Sequence, residues 1–275
     1  MTPELAYAVF CGYAAVIGLI FGSFLNVCIA RMPEDRSVVW PGSACPKCAT
    51  PIKAYDNVPV LAWMWLRGRC RACKADISPL YPIVEAFFGV MTLLLFRTLI
   101  PDLADIDVRH LVAFAWYFWL LFCLAGLTFI DLRHGIIPDE FSIYSVPVGV
   151  GGALLLHHLG YVGAPTWQQA VLGAVVGAGG LASIMGLYWL VRREEGMGMG
   201  DVKLLALLGS YFGGFPAMVV VIMVASIVGA VVGISIALVR GKGLRLAIPF
   251  GPFLALGALV WLFGGASVHA AWRIW

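Results

Sequence analysis

The chain has 275 residues, 61% of them hydrophobic and 12% charged, with a formal net charge of +3, and its mean hydropathy is +0.93. Such usage excludes an ordinary water-soluble globular enzyme. The positive charge is small and clustered, which argues against a nucleic-acid partner and reads instead as a topology signal.

A helix needs about 20 apolar residues to cross the hydrocarbon core. The hydropathy pattern predicts eight helical spans, at 5–28, 82–100, 110–130, 140–158, 168–191, 202–213, 216–239 and 246–263. The expected fold class is an all-α polytopic membrane protein with about eight transmembrane helices. The first span follows "MTPELAY", which has no basic residue, and its positive charge comes afterwards at Arg31. That order marks a retained helix rather than a secretory signal peptide. Three regions result: a first helix at 1–30, a polar segment at 31–81 and a membrane core at 82–275.

The polar segment carries two C-x-x-C pairs, Cys45/Cys48 and Cys70/Cys73. Each pair can clasp one tetrahedral metal from a tight turn, and four thiolates suit Zn²⁺. A segment this short, with few core residues of its own, gains much of its folding free energy from such a metal. Disulfides are disfavoured in the reducing cytoplasm where the charge pattern places it, and no βαβ pattern supports a thioredoxin-like role. Cys11, Cys28 and Cys123 lie in apolar spans and read as buried packing residues.

Arg31, Arg36, Lys47, Lys53, Arg67, Arg69, Arg71 and Lys74 crowd the first loop, and Arg192, Arg193, Arg240, Lys242 and Arg245 mark two later ones. The alternate loops are acidic, with Asp102, Asp105 and Asp107, or uncharged. By the positive-inside rule the first set is cytoplasmic and both termini are outside.

Few ionisable groups touch the spans, and each is costly there, about 2.5 to 3.5 kcal/mol at a helix centre. Asp131 ends the third span in "GLTFIDLRHGIIPDEF", and Asp201 opens the short sixth in "GMGMGDVKLL". The predicted topology puts both at one cytoplasmic depth. Two carboxylates in close approach share a proton, so that the ionised one activates a water against a peptide carbonyl and the protonated one donates to the carbonyl oxygen and later helps the amine leave. Glycines such as Gly198 and Gly200 let the backbone bend and let a substrate strand come near. The plainer alternative makes Asp201 a helix cap, as Asp139 is expected to be for the fourth span. No nucleotide-binding glycine pattern fits "GMGMGD".

Five stretches together, "GSFLNVCIARMP" at 22–33, the tetracysteine segment, "SPLYPIVE" at 78–85, "IDLRHGIIPD" at 130–139 and "GMGDVKLL" at 198–205, make the chain resemble the type IV prepilin leader peptidase/N-methyltransferase family, which are G-x-G-D intramembrane aspartyl proteases. The resemblance covers nearly the full length and places the family's catalytic pair on Asp131 and Asp201. It implies type IV prepilins and type II secretion pseudopilins as substrates, cut after a glycine at the end of a basic leader on the cytoplasmic face of the bacterial inner membrane. It also implies methylation of the new amine from S-adenosylmethionine, since members with the cysteine segment are bifunctional. Cys28 and Ala30 depart from bulkier residues frequent in the first motif.

No soluble-type methyltransferase pattern is present. Glu85, at the head of the second span, is a candidate contact for a sulfonium or amine, or a charge favoured in a helix's first turn. Lys203 either steers an acidic group or the Asp pair, or snorkels to lipid headgroups. His134, His157 and His158 receive no function. Three other readings stay open: a peptidase without methylation, a proton-coupled transporter, which lacks the expected pair of similar halves, and a zinc-bearing scaffold whose aspartates are structural.

Overall fold

The computed structural model describes residues 2–193, 198–240 and 248–264. Gly196 of the glycine run, the basic Lys242 and Arg245, the start of the eighth expected span and the C-terminus lie outside them. Among the described residues there are helices and two isolated β-bridges but no strands. The chain divides into two compact units, one ending at Gly126 and the other starting at Leu127.

The first unit is built on α1 (Pro3–Arg31), capped by the Thr2 side chain, which accepts from the Leu5 amide at 3.3 Å. After α1 come the cysteine segment, with the short α2 (Leu61–Trp65), and then α3 (Leu80–Leu99). Gly18 and Gly22 stand one turn apart on the face of α1 that meets α3. A Cβ on Gly18 would lie 2.8 Å from Gly89 Cα, and one on Gly22 would lie 2.8 Å from Glu85 Cα. Small residues at this spacing let two membrane helices touch backbone to backbone. The N-terminal part of α4 (Val108–His134) joins through aromatic edges, with Phe118 5.0 Å from Phe21 and 5.3 Å from Phe88. Edge-to-face rings fill a lipid-like interior well.

The second unit holds the end of α4, then α5 (Val146–His158), α6 (Trp167–Arg192), α7 (Met199–Phe212), α8 (Phe215–Arg240) and α9 (Gly251–Phe263). Helix α7 packs against α5, α6, α8 and α9. Its residues from Leu204 to Tyr211 are continuously buried, as expected of a helix that is apolar all round and enclosed by protein. Contact with α6 is again carried by glycine: a Cβ on Gly177 would sit 2.5 Å from the Leu205 carbonyl oxygen, and one on Gly173 would collide with that of Gly209.

Among the described residues, five helices are long and apolar enough to cross a membrane, namely α1, α3, α4, α6 and α8. Helices α5, α7 and α9, with 13, 14 and 13 residues, fall at predicted spans but reach only about 20 Å at 1.5 Å per residue. The fourth predicted span starts late because residues after Pro138 form turns: Ser142 Oγ donates to the Pro138 carbonyl at 2.7 Å, Ser145 Oγ donates to that of Glu140 at 2.9 Å, and Ile143–Ser145 is a 3-10 turn. The short sixth span ends, as its "GGFP" suggests, in a tight reversal with Gly213 at φ 66°.

Candidate active site

Asp131 lies in the last turn of α4, whose Gly135, at φ 67°, closes the helix by donating its N–H to the Asp131 carbonyl at 2.8 Å. The residue is 5% exposed. A carboxylate at a helix C-terminus opposes the macrodipole, and burial adds to that cost, so its presence needs a compensating donor. The donor is the backbone N–H of Gly251 at the head of α9, 3.1 Å from Asp131 Oδ2. Asp201 is the third residue of α7. Its carboxylate lies within electrostatic range of that of Asp131, 70 positions earlier in the chain.

Ile137 lies beside the heads of both α7 and α9. A Cβ on Gly200 would lie 3.0 Å from Ile137 Cβ, and one on Gly251 would lie 3.1 Å from Ile137 Cδ1 and 2.6 Å from Asp131 Oδ2. Gly200 therefore serves close packing within the chain. Gly198 is the N-cap of α7 in an extended conformation and donates no side chain to capping, so neither described glycine sits at positive φ. Asp201 is not the cap of α7.

Asp139 is not the cap of α5 either. Its Oδ1 meets Lys203 Nζ at 2.5 Å, and α5 starts at Val146 after Ser145, which makes no side-chain cap. Lys203, the fifth residue of α7, thus ties the start of that helix to the turn that follows α4. The ion pair is part-exposed.

Glu85 is not in the first turn of α3. It is the sixth residue of that helix and 7% exposed. Its Oε2 accepts from the Val60 amide at 2.7 Å, where Val60 has φ 61° at the start of α2, and the side chains of Ser23 and Asn26 of α1 lie near it. Asn26 Nδ2 in turn donates to the Tyr81 carbonyl at 3.0 Å. The carboxylate therefore sits where α1, α3 and the cysteine segment meet, and none of the ion pairs among the described residues includes it.

The two C-x-x-C turns are local copies of each other. Cys45 N–H donates to Thr50 and Cys70 N–H to Ala75, isolated bridges join Ala44 to Pro51 and Arg69 to Asp76, and Ala49 and Lys74 both have positive φ. The four sulfurs lie within 4.8 Å of one another, with Cys45 and Cys73 Sγ 3.8 Å apart. Tetrahedral Zn–S bonds of about 2.3 Å place sulfurs about 3.8 Å apart, so the thiols fit that ion. Hydrogen bonds from Thr50 bring Cys48 down to about 6, and the Cys73 and Ala72 amides lower Cys70. The Ala75 amide favours the Cys73 thiolate, but its sulfur neighbours outweigh this and push it up to about 11. Gly68 is the only described residue fully buried between 32 and 79, so the segment has almost no core and a metal would supply its cohesion.

Two family descriptions match the chain: the Bacterial Peptidase A24 N-terminal domain over residues 16–99 and the Type IV leader peptidase family over 114–234. Similar proteins, each named prepilin leader peptidase/N-methyltransferase, come from Aeromonas hydrophila at 37% identity, covering 92% of this chain and 90% of that one, and from Aeromonas salmonicida at 36% identity with the same coverage. Another, from Pseudomonas putida, is 33% identical and covers 98% of this chain and 96% of its own length. No solved structure matches the chain.

Proposed function

The chain belongs to the type IV leader peptidase family, and from that membership we propose that it cleaves the leader of prepilins with an Asp131/Asp201 dyad and then methylates the exposed amine. The observation that supports the reading is that these two acids lie within electrostatic range of each other, with Asp131 buried against the head of α9.

In this mechanism one ionised carboxylate takes a proton from a water held between the pair, and the water attacks the scissile carbonyl. The protonated partner gives its proton to the carbonyl oxygen and receives one back as the tetrahedral intermediate collapses, and the amine leaves with the other. Fixing Asp131 through Gly251, and α7 through Lys203, holds the acids in place before the substrate arrives, which lowers the entropic part of the barrier. We assign Gly198 and Gly200 to support of the Asp201 turn.

The substrate range extends in this proposal to type II secretion pseudopilins, whose basic leaders lie at the cytoplasmic surface while their apolar helices sit in the bilayer. The protein is placed in the inner membrane with its site facing the cytoplasm and both termini outside. The eight-span topology, with a first helix at 1–30, a zinc module at 31–81 and a peptidase core at 82–275, belongs to the same reading, α5, α7 and α9 being the shorter spans. Cys45, Cys48, Cys70 and Cys73 hold the structural zinc.

S-adenosylmethionine, when bound, supplies an electrophilic methyl group on a sulfonium. Glu85 is the residue we assign to the cationic sulfonium or the amine, because a buried carboxylate held only by neutral donors is completed by a positive ligand.

The test is made in proteoliposomes. Asp131→Asn and Asp201→Asn should each abolish prepilin cleavage while leaving methylation of a pre-cleaved pilin intact. Cleavage at wild-type rate by either variant contradicts the dyad, and solute flux instead of proteolysis would restore the transporter.

A further inference from the structure

The head of α9 lies beyond the residues matched by either family description, and its sequence "IPFGPF" (248–253) contains no charged or nucleophilic side chain. Its contribution to the site is made by backbone. Phe250, the N-cap, makes no side-chain hydrogen bond. Pro252 has no N–H, and the Phe253 and Leu254 amides are already bound to the Phe250 carbonyl at 3.0 and 3.2 Å. The Gly251 N–H is therefore the remaining donor of this first turn, and it meets Asp131 Oδ2 at 3.1 Å. A helix N-terminus presents partial positive charge, which offsets the unfavourable position of Asp131 at the C-terminal end of α4.

The missing side chain matters as much as the N–H. A Cβ on residue 251 would lie 2.6 Å from the same Oδ2, and Ile137 Cδ1, 3.1 Å from that Cβ, closes the opposite direction of retreat. Any residue with a Cβ must displace the carboxylate or lift α9.

We propose that Gly251 is a positioning residue of the peptidase site: its N–H binds Asp131 Oδ2 and its lack of a Cβ lets that oxygen approach, which fixes the carboxylate plane and leaves Oδ1 to face the water. Proline at 252 supports this by removing a competing donor and pre-setting the helical φ. The inference rests on Asp131 being catalytic.

Gly251→Ala tests it with purified full-length protein and prepilin. The expected result is a fall in kcat of about 100-fold, the order seen for a small misplacement of a reacting group, with KM within about twofold because substrate binding is untouched. Methylation of a pre-cleaved pilin by the same preparation should stay at the wild-type rate, which separates a positioning effect from misfolding. Gly179→Ala, where a Cβ meets nothing within 4 Å, serves as the neutral control. If the alanine variant unfolds, incorporation of glycolic acid at position 251 removes the N–H alone and should lower kcat in the same way. Wild-type kcat in Gly251→Ala or in the ester, while Asp131→Asn is inactive, overturns the inference and leaves the dyad standing. Full activity in Asp131→Asn overturns both.

Discussion

Asp131 occupies a position that local rules oppose, and that conflict is what makes it visible. An acid at the end of an apolar helix is unfavourable with respect to both lipid and the helix dipole, so a sequence that keeps one invites a chemical explanation. Asp201 is legible for the first reason only. Asp139 shows the opposite case: an acid after Pro138 and before an apolar stretch looks like a cap, yet a lysine 64 residues away takes its carboxylate. Nothing local announces that pairing. Because the pair is part-exposed, breaking it should cost about 1 kcal/mol of stability or less, while the freed first turn of α7 lowers cleavage about tenfold through misplacement of Asp201. Lys203→Gln and Asp139→Asn should behave alike in kcat assays, and the exchanged pair, Asp139→Lys with Lys203→Asp, should recover most of the loss. A double exchange no better than either single variant contradicts the staple. Gly251 was illegible for another reason, since its role is carried by a backbone donor and an absent atom, and the one sequence signal is the Gly-Pro pair at the head of an apolar run.

At the level of helices, hydropathy located each described helix of 13 residues or more but not the five-residue α2, because only a sustained apolar run registers lipid or protein burial. Length was less readable. Turns delay the start of α5 and the positive-φ Gly213 ends α7, and such boundaries depend on partners such as the Pro138 carbonyl that binds Ser142. Close helix pairs depend on glycine, and Gly22→Leu should force α1 from α3 at a cost of about 1 to 3 kcal/mol, read as a lower Tm. Gly12→Leu, at a site with open space, should leave Tm unchanged, and equal shifts for both would refute the contact. Helix α4 offers a pH test. Asp107 accepts from the Arg109 and His110 amides at 2.9 and 3.2 Å, and the Arg109 guanidinium holds its carboxyl down to about 2. A lowered folded value means that the cap contributes fully above the usual carboxylate value of about 3.9 and is lost as pH falls from there through about 2. The Tm difference between wild type and Asp107→Ala should therefore be constant at neutral pH and shrink across that acid window. A difference independent of pH would show that the charge is not what caps the helix.

At the scale of the whole molecule, one compact unit bears the cysteine segment and the other contains both aspartates. The cysteine segment was readable because two equally spaced pairs in a polar stretch have few other uses. The placement of Glu85 beneath it was not, since its partner is the amide of Val60, which any residue but proline could supply. Metal analysis should find about one zinc per chain, and Cys73→Ser should release it, because three thiolates at an open tetrahedral site hold the ion less well. Protein without zinc and with intact disulfides would contradict that assignment.

The most direct measurement is the intact mass of a prepilin after incubation with the folded protein and S-adenosylmethionine, for wild type, Asp131→Asn and Asp201→Asn in parallel. Wild type should yield a product lacking the leader and carrying one added methyl group, and both variants should leave the prepilin at full mass. An unchanged prepilin with folded, zinc-loaded wild type, or leader removal by either variant, would contradict the proposed function.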